Sequence, residues 1–316
     1  MTALRSRLGV ALLALVPATM AATGVGCGAS ELQPNEPSTQ EREATTAALL
    51  DQLSLEGALL DDSPSVRLLS TASSATRIAE TRPPVPRPLD KMLQAWGTAI
   101  PRSCTTVEGA SPDADADGIP ATASVHLACS AASYDVSGTA YMVDDDDRDP
   151  TSGFALGLRD LRVQSAVDGG LVTRTADASF IVTLRPDPSP GAVDMKLDVH
   201  VDSTRGASNG AVTQATSASS GTTSYFPDAD LTPTTRSQHG SVTSTVHTTV
   251  TYAGVAHTWT RRAPLSLHWN LACKAASASL AGFDGGAVVY TDDRGNSLRF
   301  DFTSCSNWTV TLNGRP

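Results

Sequence analysis

Asp113-Ala114-Asp115-Ala116-Asp117-Gly118-Ile119 places carboxylates on alternate residues ahead of a glycine that permits a sharp turn. Carboxylates at positions one, three and five of such a loop can converge on one hard cation, and a backbone carbonyl at position seven adds a neutral oxygen. The spacing therefore predicts a structural calcium site built from Asp113, Asp115, Asp117 and the carbonyl of Ile119. Ala121 and Ser124 stand where a complete loop would supply more carboxylates, so further ligands must come from elsewhere. Glu108, the run Asp144-Asp145-Asp146-Asp147 and Asp149 are candidates, because a strand pair between Thr122 and Val143 would bring two acidic turns together. The competing reading is two solvated acidic turns that keep the domain soluble.

Other reactive residues are less telling. Gly206-Ala207-Ser208-Asn209-Gly210 matches G-x-S-x-G, and Asp228 or Asp230 followed by His239, His247 or His257 preserves the order of a hydrolase triad. A nucleophile elbow needs a buried strand, a strained turn and a helix, whereas Ser208 falls in a Gly/Asn loop between alternating segments. Hydrolysis is thus a minor alternative, and the chain is expected not to be an enzyme. The remaining histidines His126, His200 and His268, with His247 and His257, read as strand residues and His239 as a turn residue. Trp259, Trp269, Trp308, Tyr252 and Tyr290 read as core aromatics rather than a pocket lining.

Cys27 follows Arg5 and Arg7, an apolar run from Leu8 to Val16, and Gly24-Val25-Gly26. This arrangement resembles a bacterial lipoprotein signal, with Gly24 where leucine is usual; a plain secretory signal ending near Ala21-Ala22 is the alternative. The resemblance implies removal of residues 1–26, lipid on Cys27, and a domain tethered to a membrane. By the same resemblance Gly28, which is not aspartate, favours the outer membrane, facing the periplasm or the outside. The acidic loop is similar, over about eight residues, to thrombospondin type 3 and EF-hand calcium loops.

Setting Cys27 aside leaves Cys104, Cys129, Cys273 and Cys305, an even set that suits disulfides in an oxidising compartment. The local pairs Cys104 with Cys129 and Cys273 with Cys305 are favoured among three connectivities. Metal ligation is the rival reading of these cysteines, but no CxxC pair or His-Cys cluster supports it, so zinc is not expected. With 33 acidic against 23 basic residues and a net charge of -10, the chain has no basic patch for nucleic acid.

These residues need elements to hold them. Residues 27–40 read as a flexible tether, 41–60 as a helix with Leu49, Leu53 and Leu60 on one stripe, and 61–88 as a proline-rich linker. Leu89, Met92, Leu93 and Trp96 mark a short helix at the start of a domain spanning 89–316. From Thr122 onward the period is two, as in Phe180, Val182 and Leu184, or Val193, Met195, Leu197, Val199 and Val201. The fold class expected is mainly β, an antiparallel β-sandwich or partly closed barrel preceded by one or two short helices. Thr243–Thr251 is expected to be strand; Thr213–Thr223, rich in Ser and Thr, could be strand or low-complexity linker. Leu127–Ser133 resembles Leu271–Ser277, and Gly138–Asp145 resembles Gly286–Asp293, which suggests two related strand-turn units. The functions consistent with all this are a lipid-anchored, non-catalytic binding or structural module with a protein or glycan partner, or a carrier of lipid or another apolar ligand in a curved sheet.

Overall fold

The computed structural model describes residues 35–60, 86, 89–90, 92–93, 102–115, 119–131, 134–149, 152–167, 170–185, 192–206, 212–228, 239–270, 273, 282–305 and 307–315. Cys27, the tether up to residue 34, nearly all of the proline-rich linker, Trp96, Asp117 and Ser208 lie outside these residues.

The chain is mainly β and antiparallel. Its strands are β1 (Thr105–Glu108), β2 (Thr122–Ala131), β3 (Tyr134–Asp144), β4 (Phe154–Val167), β5 (Gly170–Arg185), β6 (Ala192–Gly206), β7 (Val212–Pro227), β8 (His239–Tyr252), β9 (Val255–Asn270), β10 (Phe283–Asp292), β11 (Ser297–Ser304) and β12 (Asn307–Leu312). They form one sheet in sequence order, each strand antiparallel to the next. No ladder joins β1 to β12 among the described residues.

Helix α1 (Thr39–Leu60) precedes the sheet. Ser38 caps it, accepting the amide of Glu41 at 3.2 Å, and Ser38-x-x-Glu41 is the spacing of a capping box. Leu49, Leu53 and Leu60 are buried, as their stripe predicts, but so are Thr45, Gln52 and Glu56. Those polar residues share the leucine stripe, but Leu55 on another side is buried too and no described residue from Ala44 to Gly57 is exposed, so α1 is enclosed rather than laid on a surface. Its side chains reach Arg174 on β5, Ser219 and Thr223 on β7, Thr248 on β8, Arg261 on β9 and Arg294 after β10. The sheet therefore curls about the helix, and one continuous core joins α1 to β2 through β12. Leu89, Met92 and Leu93 add a helical turn to that core.

The Ser/Thr tract is strand: residues 212–227 form β7, near the middle of the sheet. Its inward positions Ser217, Ser219 and Thr223 are small and polar because they face the polar side of α1. Gly221 lies so near β8 that a Cβ would stand 2.3 Å from the Thr245 carbonyl oxygen, so a side chain there would displace backbone. Val193, Met195, Leu197, Val199 and Val201 are all buried, as their alternation predicts. Trp259, Trp269 and Tyr290 are core, whereas the Tyr252 hydroxyl reaches out to Gln40.

Disulfides join Cys104 to Cys129 and Cys273 to Cys305, the two local pairs. Gly138 and Gly286, which correspond in the suggested repeat, both have positive φ and sit at register shifts, but Gly138 against the following strand β4 and Gly286 against the preceding strand β9. At Gly138 the extra residue is on β4, and a Cβ would stand 2.7 Å from the Asp160 carbonyl oxygen, so the close approach calls for glycine there. In the first block, Cys129 lies in β2 while Cys273 lies outside any strand, so the two units diverge there.

Candidate cation-binding site

The β2–β3 hairpin positions the acidic residues. Thr122 pairs with Val143, so the loop before β2 and the turn after β3 emerge side by side. Backbone bonds from the Ser111 amide to the Thr122 carbonyl and from the Asp144 amide to the Ala121 carbonyl extend that alignment. The turn is closed by Asp145 on Gly153, Asp149 on Asp146, and Ser152 on Asp149. Across the gap, Asp147 Oδ1 accepts the amide of Ala114 at 3.1 Å, fastening one acidic segment to the other.

Asp113, Asp115 and Asp147 meet here, each offering one carboxylate oxygen, with these atoms within 4.8 Å of one another. Two unit charges at that separation repel by roughly 3 kcal/mol at an effective dielectric of about 20. A fourth carboxylate, Asp144, is near enough for Asp115 and Asp147 to act on it electrostatically. Asp144 is 7% exposed; its Oδ1 accepts the Ser152 hydroxyl at 2.7 Å, while its buried Oδ2 has no hydrogen-bond partner among the described residues. Burial raises the Asp144 pKa above the ordinary carboxylate value, and the charges of Asp115 and Asp147 raise it further. Half-buried, oxygen-only donors of like charge are suited to a hard cation and to little else.

Of the sequence candidates, Asp113 and Asp115 are brought together and Asp117 lies outside the described residues. Ile119 is fully buried, its side chain part of the core, which anchors the loop at its downstream end. Glu108 is not in the cluster; its carboxylate pairs with His126 across β1 and β2 at 3.3 Å. The acidic run contributes through Asp147 and Asp144.

Of the hydrolase candidates, Ser208 and Asp230 lie outside the described residues. Gly206 and Val212, which bracket Ser208, pair at one end of β7, and Asp228 follows its other end, about 50 Å away at ~3.3 Å per residue. Asp228 does bond His239, the first residue of β8 rather than a turn residue, and also His268 of β9. That grouping was not legible in the sequence, because its members are contributed by three chain segments whose register only the folded sheet reveals.

A second polar cluster lies in the core. Arg261 Nη1 donates to both carboxylate oxygens of Glu56 at 2.8 Å, and Glu56 also accepts Gln52 Nε2 at 2.9 Å and Thr223 Oγ1 at 3.1 Å. It locks α1 against the inner face of the sheet.

No protein-family model matches this chain, and neither the curated proteins nor the solved structures gave a match.

Proposed function

We propose that this chain is an exported, lipid-anchored envelope protein whose β domain is a non-catalytic binding or structural module stabilised by calcium. The observation that carries the calcium part is the meeting of Asp113, Asp115 and Asp147, with the charges of Asp115 and Asp147 also acting on the buried Asp144. An ion there would relieve repulsion among carboxylates that the β2–β3 register forces together. Two disulfides suit folding in an oxidising compartment. The anchor rests on Cys27 and the signal-like residues before it, with the outer membrane favoured by Gly28. Protein or glycan is the partner class this reading favours over an apolar ligand, because α1 occupies the inner face of the sheet.

Two measurements test it. Cys27→Ser should move the protein from the membrane to the soluble fraction; continued membrane fractionation would remove the anchor. For calcium, a Kd of about 10⁻³ M gives roughly 1.4 kcal/mol of stabilisation at about ten times that concentration. A melting temperature unmoved by calcium would remove the ion from the account.

A further inference from the structure

At the end of the sheet where β7 gives way to β8, Asp228, His239 and His268 each aim one donor atom at a common point. The three atoms lie within 4.8 Å of one another, and Asp228 Oδ2 stands 2.9 Å from both His239 Nδ1 and His268 Nε2. Sheet register fixes the approach. Pro227 pairs with Gly240, His239 with Asn270 and Ser241 with His268, and the Asp228 amide bonds the His239 carbonyl. The two imidazoles stack at 5.9 Å between centroids.

The other nitrogen of His268 is also held. Its Nδ1 is 2.5 Å from Asp284 Oδ1, and Asp284 Oδ2 in turn accepts Asn270 Nδ2 at 2.8 Å. A carboxylate on the far nitrogen fixes the imidazole's tautomer and ring orientation, and it recurs behind metal-bound histidines. Asp284 is brought there by β10, where Gly285 pairs with His268.

We propose that Asp228 Oδ2, His239 Nδ1 and His268 Nε2 form a binding site for a divalent transition metal of the zinc class, with Asp284 as the positioning residue for His268. Two imidazole nitrogens and one carboxylate oxygen suit zinc and its neighbours, and they do not suit calcium or magnesium, which take oxygen. Bonds of about 2.0–2.1 Å in a tetrahedron put donor atoms about 3.3 Å apart, so the present 2.9 Å separations need widen by only a few tenths. The ion takes the place of the protons now shared between Asp228 and each imidazole, so binding releases protons. The site faces solvent, with the His239 side chain 52% exposed, so a fourth position is open to water or to a ligand atom from a partner. This inference does not depend on the calcium reading; the two sites differ in donor chemistry and in location.

The test is cobalt(II) and zinc titration of the chelator-treated full-length protein. One cobalt per chain should bind at micromolar concentration with the intense visible bands of a four-coordinate site, and zinc should displace it while calcium does not. His239→Gln and His268→Gln should abolish the spectrum. Asp284→Asn should weaken zinc by about 10–100-fold and leave the ligand set intact. Asp115→Asn should change nothing at this site. No four-coordinate cobalt spectrum, or one that survives His239→Gln, would overturn the proposal; so would an unchanged zinc affinity in folded Asp284→Asn protein.

Discussion

Glu56→Ala is the substitution with the largest expected effect on stability. The Glu56 and Arg261 side chains are 1% and 0% exposed, and the carboxylate takes both of its oxygens to one guanidinium nitrogen at 2.8 Å. Removing it orphans the Arg261 charge, the Gln52 amide and the Thr223 hydroxyl inside the core. Breaking one side of a buried pair costs about 3–5 kcal/mol, because the remaining charge stays desolvated. At 2–4 °C per kcal/mol for a domain above 150 residues, the melting temperature should fall by roughly 10 °C. The companion Glu56→Met/Arg261→Met, which removes both charges, should recover most of that loss and can equal the parent. Urea unfolding of the full-length protein, followed by tryptophan fluorescence, reads both variants. A single variant that loses under about 1 kcal/mol, or a double variant no better than the single, would refute the claim that this pair locks α1 into the sheet.

Leu53→Ala, which empties a position 1% exposed on the helix, should cost about 2–5 kcal/mol by the same unfolding assay. Removing the Cys273–Cys305 bridge, which spans 32 residues, should cost about 3.7 kcal/mol on the loop-entropy argument, read as a lower urea midpoint for Cys273→Ala/Cys305→Ala. Asp293 should titrate below the ordinary carboxylate value by carbon NMR: burial alone would raise its pKa, but hydrogen bonding to His257 and to backbone amides outweighs it. Its folded pKa being depressed, its stabilisation is present above the unfolded value of about 3.9 and is lost as pH falls through the folded value. His257→Gln should move that titration upward, and an unchanged curve would dismiss the imidazole as its cause.

Much of this architecture was legible because strand alternation is local. Val193 through Val201 declared their buried face in five residues, and Leu49, Leu53 and Leu60 declared theirs in three. What local patterns could not convey was that α1 would be enclosed, so that Gln52 and Glu56 needed polar partners. Those partners are Arg261 of β9, Thr248 of β8 and the small hydroxyl side chains of β7, and the last made that strand's sequence look like a linker. The acidic pair of turns was legible because a hairpin brings its two flanks together at short sequence separation. The Asp228, His239 and His268 cluster was not, since His268 lies 40 residues beyond Asp228 and only the β7–β8–β9 register joins them.

The most direct measurement is isothermal titration of calcium into chelator-treated protein, with Asp115→Asn and Asp147→Asn alongside. The account predicts one calcium per chain with a Kd of about 10⁻⁴–10⁻³ M, weakened or abolished in either variant. No calcium-dependent heat in the parent, or the same binding in both variants, would contradict it.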